Sequence, residues 1–481
     1  MEKKMQIKKA FGLLVFIYTL SLYPLIRANF NYIDDMGRVF KGYAGWSNFS
    51  RWFSSVLSHF VHAGIHLADI SPLPQIMAIC IVAFAGCLLL WTIKETNVFS
   101  VWDIAAILPL GITPYFLECL SYKYDAPYMA LSILASITPL IFCKKDIRLY
   151  SIATIASMII MCTTYQASSG IFPMCVLLLT FLMWNRVGGG IQKILRFVIV
   201  SALSYLIGVG IFFLFLMGHV DGYVSNKIGS ISNTLDNYSE YFKYVFSDFK
   251  IEWLVIIGIL SIWFIVVSVW NTKHNKFLAF CISLLVECVM LLLSYGLYPI
   301  LERPLFVPRA LYGVGTYIVL ICVATTMQTE NKRWKWITRV LIVALGWSFI
   351  TFTLAYGNAL SVQDEYTDFR IAEVIGDLSE LQEVSSGENV VVQLNGTIGL
   401  APAIEDGPNN CNMLTRLIPI MFKEEWIWGG YKFFHYYGLK NISWNMEAGM
   451  YMDAYGDWPL LHESMYHRIY GQDNYIVIEL K

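Results

Sequence analysis

The chain has 481 residues, of which 57% are hydrophobic and 14% are charged, and its mean hydropathy is +0.56. Soluble globular domains contain about 45–50% apolar and about 25% charged residues. The excess of apolar residues must therefore face lipid, which excludes a soluble enzyme, a disordered chain and a coiled coil. The formal net charge of −1 gives no electrostatic basis for binding nucleic acid, so we expect a lipid bilayer and no nucleic acid among its partners.

Apolar stretches long enough to span a bilayer, which takes about 20 residues, recur along the chain. We count eleven and expect a polytopic α-helical membrane protein with about 11 transmembrane helices. The predicted helices cover residues 10–26, 74–93, 101–117, 126–143, 149–164, 167–184, 197–217, 251–271, 277–299, 309–328 and 337–356.

Basic residues indicate the orientation of these helices. Four lysines, Lys3, Lys4, Lys8 and Lys9, precede the first helix, and Lys and Arg favour cytoplasmic loops. If the amino terminus is in the cytoplasm, every even-numbered connection between helices is also cytoplasmic, and each of these connections is basic. We therefore expect a cytoplasmic amino terminus and a carboxyl terminus on the outer side.

Most polar residues lie on the predicted outer side. Its connections are residues 27–73, 118–125, 218–250 and 299–308. Within them, aromatic and aliphatic side chains recur every three to four residues over 49–68 and over 231–250. Amphipathic helices of this kind lie in the membrane interface, so we expect two interfacial helices in the outer loops.

The chain divides into two predicted domains. Residues 1–356 form a transmembrane domain, and residues 357–481 form a small C-terminal α+β domain outside the membrane. We expect the second domain to contain a helix over Tyr366–Leu381 and strands over Asn389–Leu394 and Tyr475–Leu480. Its many Trp and Tyr residues suit a protein core or a carbohydrate-binding surface.

Two adjacent carboxylates, Asp34 and Asp35, follow the first helix, with Arg38 one turn further on. A carboxylate held against apolar surroundings has a raised pKa and can accept a proton from a hydroxyl group. The pair is therefore a candidate general base or metal ligand. The alternative is a solvated turn in which Arg38 pairs with the carboxylates.

Two arginines, Arg303 and Arg309, flank an apolar turn on the outer side. The guanidinium group is suited to bidentate recognition of phosphate. The alternative is that both side chains extend to lipid headgroups.

Two further polar clusters are candidates for the same outer cavity. One contains Glu118, Tyr122, Lys123 and Asp125, and its alternative interpretation is a hydrated loop. The other is Tyr165–Gly170, which includes Gln166. Its alternative interpretation is a tight packed turn. Glu287 lies inside the ninth predicted helix, and its role stays open.

Three stretches of sequence resemble the bacterial glucosyl transferase II family, the serotype-converting enzymes that decorate O-antigen. They are IDDMGRVFKGYAGWSNFSRWFSSVL from Ile33, SPLPQIMAI from Ser71 and YQASSGIFP from Tyr165. The resemblance covers most of residues 30–185 and is weakest in the C-terminal tail. Where the family pattern has Gly-Arg before the interfacial helix, this chain has Ser50-Arg51.

The resemblance implies a membrane glycosyltransferase of the C superfamily (GT-C) in the bacterial inner membrane, acting on the periplasmic side. The implied donor is glucose carried on polyprenyl phosphate, and the implied acceptor is a sugar of lipid-linked O-antigen. Such enzymes use an acidic residue of the first outer loop, here Asp34 or Asp35 in the segment 27–73. A lipid donor also agrees with the lack of a Gly-rich nucleotide loop beside a βαβ unit.

The charges suggest the mechanism. The departing polyprenyl phosphate is anionic and needs cations, for which Arg303, Arg309, Lys123 and Arg51 are the candidates. The acceptor hydroxyl needs a base, Asp34 or Asp35. Arg38, Glu118, Tyr122, Asp125 and Gln166 are expected to line the cavity. One base and one charged leaving group describe direct displacement with inversion, and we expect neither a metal nor a cofactor.

Two other classes of protein compete with this interpretation. Transporters and flippases place polar groups and broken helices near the bilayer midplane, often in repeated halves. Here the polar residues gather on one side, and no repeat is seen. An O-antigen polymerase or ligase would share the location and the outer arginines, but the acidic pair directly after the first helix favours the transferase.

Overall fold

The computed structural model describes residues 4–187, 190–218, 227–381, 384, 387 and 389–481. Lys3, used above for orientation, and residues 219–226 of the predicted outer connection lie outside the described residues.

Nine helices of the described residues are long and apolar enough to cross a membrane. Each coincides with one of the eleven predicted stretches, which indicates a polytopic membrane protein. They are Ile7–Ala28, Leu73–Lys94, Ile147–Thr164, Gln166–Asn185, Ile191–Leu216, Ile251–Trp270, Lys276–Leu293, Pro308–Gln328 and Lys332–Glu380.

The two remaining predicted stretches are helical but are not simple spans. Val101–Ile112 and Pro114–Ser121 form a pair bent by 56°. Proline lacks the backbone donor that would continue the helix, so the break falls at Pro114. Ala126–Phe142 is apolar but shorter than the other spans. The described residues therefore give nine spans, or ten with the bent pair, where the sequence predicted about eleven.

The last predicted span continues far beyond its expected end. Lys332–Glu380, here called the long helix, runs for 49 residues without interruption. The sequence predicted two helices, 337–356 and 366–381, because the hydropathy falls after Tyr356. Helical hydrogen bonding does not require apolar residues, so the backbone continues through the predicted domain boundary at residue 357.

The connections predicted to lie on the outer side contain shorter helices. Asp34–Lys41, here called the acidic helix, follows the first span, and a 3-10 turn occupies Trp46–Phe49. The predicted interfacial helix over 49–68 is shorter than expected, since its α-helix is Trp52–Val61. The second predicted interfacial helix is present as Ile231–Asp248.

A five-stranded sheet lies in the C-terminal region, and a two-stranded ribbon joins the amino terminus to the connection between the second span and the bent helix pair. The strands are β1 (Lys4–Gln6), β2 (Val98–Ser100), β3 (Val390–Gly396), β4 (Ile442–Trp444), β5 (Leu460–Glu463), β6 (His467–Gln472) and β7 (Tyr475–Leu480). The order in the sheet is β4-β3-β7-β6-β5, with β3 parallel to both β4 and β7. Both predicted strands are present as β3 and β7, whereas β4, β5 and β6 were not foreseen.

Short helices connect these strands: Pro402–Glu405, Asn412–Leu417, Ile427–Gly430 and Asn445–Ala448, with a π-helical turn at Tyr431–Tyr436. Ile476, Val477 and Ile478 of β7 are all buried, and Ile476 and Ile478 belong to the same hydrophobic core as Val390 and Val392 of β3. The sheet therefore continues the hydrophobic core of the helical part.

The first span and the long helix pack closely at Gly357. A Cβ atom on this glycine would lie 2.3 Å from the backbone nitrogen of Leu25. Arg27 donates a hydrogen bond of 2.9 Å to Asn358 beside this contact. The close approach holds the two helices together just before the acidic helix begins.

We predict that Gly357→Ala destabilises the protein by about 1–3 kcal/mol, because the added methyl group would meet backbone that cannot rotate away. Gly376→Ala is the matched control on the same helix, since no atom lies within 4 Å of its Cβ position. Thermal unfolding in detergent measures both. Equal midpoints for the two variants would contradict the packing.

Candidate active site

A cavity of about 160 Å³ lies among the connections that the sequence predicts to be on the outer side. Seven of the eleven predicted site residues line it: Asp34, Arg38, Arg51, Tyr122, Asp125, Gln166 and Arg309. They come from four separate parts of the sequence. The structure therefore brings together polar clusters that sequence analysis could only place on the same side of the membrane.

The two adjacent carboxylates occupy different environments. Asp34 and Asp35 form the first turn of the acidic helix, where successive side chains point about 100° apart. The side chain of Asp34 lines the cavity and is 35% exposed, whereas that of Asp35 is fully buried. Only Asp34 is therefore placed to meet a substrate.

The residue before the acidic helix has a strained backbone. Ile33 adopts φ 49° and ψ −105°, a conformation that a β-branched residue rarely takes. Such strain costs of order 1–3 kcal/mol and persists only where the surroundings fix it. Here it sets the direction in which the acidic helix starts, and with it the direction of Asp34.

Asp35 accepts hydrogen bonds from two residues behind the cavity. It accepts hydrogen bonds from the backbone N–H of Lys123 at 2.7 Å and from Arg38 at 3.3 Å. Burial raises its pKa to about 7, although Arg38 acts to lower it. Its partners make Asp35 a positioning residue that joins the acidic helix to the loop 122–125.

Asp34 is only loosely paired. Its nearest cation, Arg38, has its Nη2 atom 3.9 Å from the carboxylate. Burial raises the pKa of Asp34 above its ordinary value of 3.8, and Arg38 opposes this shift without cancelling it. A carboxylate with a raised pKa and a surface open to the cavity has the properties of a general base.

Asp125 binds three donors at the back of the cavity. Its Oδ2 accepts from Arg38 at 2.5 Å, and its Oδ1 accepts from the indole of Trp46 at 2.6 Å. Arg51 lies 2.9 Å from the same Oδ1. Burial alone would raise the pKa of Asp125, but Arg38 and Arg51 hold it below its ordinary value.

Arg51 is fixed from three sides. Besides Asp125, its Nε donates to the carbonyl of Thr164 at 2.7 Å, and its guanidinium lies over the ring of Tyr165. The preceding Ser50 has φ 59°, the left-handed region that favours glycine. This chain therefore keeps, with a serine, the turn for which the resemblance expects glycine.

Arg309 is held by Glu118 through both of the carboxylate oxygens. The Arg309 guanidinium donates to Oε1 and its backbone N–H to Oε2, each at 2.6 Å. Glu118 is buried behind the cavity, and the Arg309 side chain is 16% exposed toward it. The guanidinium also lies over the ring of Tyr122, so its position is set before any ligand arrives.

Two predicted phosphate ligands lie away from the cavity. Lys123 is buried and donates to Asp69 at 2.8 Å and to Asn29 at 3.0 Å. Arg303 is exposed and does not line the cavity. Sequence reasoning grouped Arg303 with Arg309 because both flank one apolar turn, but only Arg309 continues into the helix that faces Glu118.

One side of the cavity is apolar. It is formed by Phe49, Met129, Cys162, Phe212, Phe213, Met217, Leu297, Leu301 and Leu305. Most of them lie in stretches read as membrane-spanning or interfacial, whereas Leu301 and Leu305 lie in the connection 299–308. Sequence analysis therefore did not group them as one wall. Sequence analysis also missed Trp46. The available signal was its position in the stretch that resembles the family.

The acidic helix is covered on another side by the C-terminal region. Lys41 donates to the hydroxyl of Tyr431 at 2.7 Å, and Phe40 stacks on His435 with ring centroids 5.1 Å apart. A Cβ atom on Gly37 would lie 2.6 Å from the ring of Trp428. The C-terminal region thus contacts the helix that carries Asp34.

A second cavity, of about 220 Å³, lies next to this contact. It is mainly polar, with Asn395 and Glu424 among its lining residues, and it has the rings of Trp426, Trp444 and Tyr451. Aromatic rings beside hydrogen-bonding groups are suited to sugars, whose C–H faces are apolar and whose hydroxyls are polar.

Glu287, whose role the sequence left open, is outside both cavities. It is buried between helices, and its Oε1 accepts from the hydroxyl of Tyr317 at 2.7 Å. This contact joins Lys276–Leu293 to Pro308–Gln328, which makes Glu287 a packing contact between two spans.

Comparisons with known proteins give a matching family and a similar phage protein. The family described as "Glucosyl transferase GtrII" matches residues 23–320. A protein of Salmonella phage P22, described as "Uncharacterized 55.3 kDa protein in gtrB 5'region", is 26% identical over 442 residues, which cover 86% of this chain and 87% of that protein. No solved structure matches this chain.

We predict that Asp125→Ala destabilises the protein by about 3–5 kcal/mol, because it leaves two buried arginines without their shared carboxylate. Glu240→Ala is the control. Glu240 pairs with Lys243 on an exposed surface at 3.3 Å, and such pairs contribute about 1 kcal/mol or less. Denaturant titration in detergent gives both free energies of unfolding. A loss for Asp125→Ala no larger than that for Glu240→Ala would contradict the arrangement.

Proposed function

The chain belongs to the glucosyl transferase GtrII family, and we propose that it transfers glucose from polyprenyl-phosphate glucose to a sugar of lipid-linked O-antigen. We further propose a GT-C type enzyme in the bacterial inner membrane, with its cavity and C-terminal region on the periplasmic side. The observation that carries the proposal is a single cavity that combines a loosely paired carboxylate, fixed arginines and an apolar wall.

The donor phosphate binds at Arg309 and Arg51 in this proposal. Both guanidinium groups line the cavity and are fixed by carboxylates, Glu118 and Asp125. Cations that are positioned in advance stabilise the charge that develops on the departing phosphate. The apolar wall offers a surface for the first isoprene units of the lipid.

Asp34 acts as the general base. The acceptor hydroxyl attacks the anomeric carbon of the donor glucose, and its proton passes to the Asp34 carboxylate. A carbon–oxygen bond forms to the acceptor as the bond to the phosphate oxygen breaks, and polyprenyl phosphate leaves with the electron pair. One displacement inverts the anomeric configuration. Asp35 positions the helix and takes no proton from substrate.

The acceptor glycan binds along the C-terminal region. Two features support this assignment: the direct contact of Trp428 and Tyr431 with the acidic helix, and the polar cavity with its aromatic rings. A glycan bound there would extend toward Asp34. The proposed domain boundary near residue 357 separates donor chemistry from acceptor recognition, although one helix crosses it.

We predict that Asp34→Asn lowers kcat by about 10²–10⁴-fold, because the amide cannot accept the hydroxyl proton. The protein level and membrane insertion should stay normal, since the ion pair of this side chain with Arg38 is long, at 3.9 Å. Mass spectrometry of O-antigen from cells with the wild type, the variant or no enzyme gives the added hexose. Normal modification by Asp34→Asn would remove the base from the mechanism.

The pH dependence is a second readout of the same role. The base must be deprotonated, so kcat/KM should fall as pH decreases through the pKa of Asp34, which burial raises above 3.8. In Asp35→Asn, which lacks the neighbouring titrating group, that fall should persist. Its disappearance in Asp35→Asn would assign the base to Asp35.

We predict that Arg309→Lys raises KM for polyprenyl-phosphate glucose without changing KM for the acceptor, because a point charge replaces the bidentate group poorly. Trp426→Ala should do the reverse and raise KM for the acceptor alone. Arg303→Ala is the matched control, an exposed arginine near Arg309 that does not line the cavity. Steady-state kinetics with both lipids separate these effects. If Arg303→Ala alone weakens donor use, the phosphate site lies at Arg303.

A further inference from the structure

Three metal-ligating side chains converge in the C-terminal region. They are Asp377 near the end of the long helix, His462 on β5 and His467 on β6. The potential ligand atoms all lie within 4.8 Å of one another. None of these residues lines either cavity. The cluster is therefore separate from the proposed reaction.

The distances fit a shared cation. The Nε2 atoms of His462 and His467 lie 3.0 and 2.9 Å from the same oxygen, Oδ2 of Asp377. A tetrahedral zinc ion with bonds of about 2.0–2.1 Å holds its ligands about 3.3 Å apart. Movements of a few tenths of an ångström would therefore accommodate the ion.

The orphaned nitrogen of His467 is the second observation that points to a ligand. His467 is completely buried, and its Nε2 has no hydrogen-bond partner among the residues that the structure describes. A buried polar atom without a hydrogen-bond partner is destabilising. Nε2 lies close to the Asp377 carboxylate, but the two groups are not aligned for a hydrogen bond. A metal ion between the two atoms would satisfy both.

The surroundings orient the His467 ring for metal binding. The Ser464 hydroxyl donates toward the His467 carbonyl at 3.3 Å and lies 3.4 Å from Nδ1. A proton on Nδ1, directed at Ser464 Oγ, leaves the lone pair of Nε2 free for a cation. His462 and Asp377 are 33% and 24% exposed, so a metal ion and one coordinating water can reach the site from solvent.

Arg370 lies on the long helix, as Asp377 does, and its positive charge acts on His467. Its guanidinium is nevertheless bound to other groups. The Arg370 guanidinium donates to the carbonyls of Tyr466 and Lys481 at 2.6 and 2.8 Å. These oxygens, together with the Tyr366 hydroxyl at 2.6 Å, orient the arginine. The carboxylate of Asp377 remains the charged group directly between the two histidines.

From this geometry we propose that Asp377, His462 and His467 bind one Zn²⁺ ion, with water as the fourth ligand. The ion joins the β5–β6 hairpin, at the edge of the sheet, to the long helix. Two imidazole nitrogens and one carboxylate oxygen are a ligand set that suits zinc. The proposal concerns metal binding alone and does not depend on the proposed glucosyl transfer.

Zinc titration of the full-length protein tests the site. The protein is purified in detergent with a tag that contains no histidine, treated with a chelator and dialysed. Isothermal titration with ZnCl₂ should give one tight site per chain in the wild type. His462→Gln and Asp377→Asn should each weaken binding by at least the ~10–100-fold that loss of a partner of a metal ligand costs.

A matched variant controls for incidental binding. His435, which stacks on Phe40, pairs with Glu447 at 3.1 Å, so His435→Gln removes a histidine–carboxylate pair that lies away from Asp377, His462 and His467. It should keep the tight site. Zinc should also raise the thermal midpoint of the wild type and of His435→Gln but not of His462→Gln. Equal zinc affinity in the wild type and His462→Gln, or equal loss in His435→Gln, would overturn the proposal.

Discussion

The buried carboxylate of Asp125 is the contact on which the candidate active site depends. It accepts from Trp46 and pairs with Arg38 and Arg51, so it joins the connection after the first span to the loop after the bent helix pair. Breaking such a pair leaves uncompensated charge in a low dielectric. That penalty keeps both arginines in place within a cavity that has an apolar wall, where unpaired cations would be unstable.

A second constraint gives two adjacent residues different roles. The acidic helix turns by about 100° per residue, so one carboxylate must point into the protein when its neighbour points out. Asp35 uses the inward position to bind the Lys123 backbone and Arg38, and Asp34 is left facing the cavity. The strain at Ile33 and the cover from Trp428 and Tyr431 fix this rotation. The proposed base, Asp34, and the residue that positions it, Asp35, are of the same type. Their roles differ because they point in different directions from the helix.

Sequence reasoning located the apolar helices and most of the polar site, since both depend on local composition. All eleven predicted stretches are helical, and seven of the predicted site residues share one cavity. It could not separate Arg309 from Arg303, or Asp34 from Asp35, because these distinctions depend on which partner faces each side chain. It also divided the long helix at residue 357, since hydropathy reports surroundings and not backbone continuity. The metal-ligating cluster escaped notice because Asp377 and His462 are 85 positions apart in the chain.

The central claim is that the donor phosphate and the reactive carboxylate meet in one cavity. A structure of the protein in lipid nanodiscs with a non-reactive phosphonate analogue of polyprenyl-phosphate glucose tests this claim most directly. We predict that the phosphonate oxygens lie within hydrogen-bond distance of Arg309 and Arg51, that the lipid lies along the wall that contains Leu297 and Leu301, and that the anomeric carbon faces Asp34. A phosphonate bound at Arg303 or Lys123, with Asp34 remote from the sugar, would contradict it.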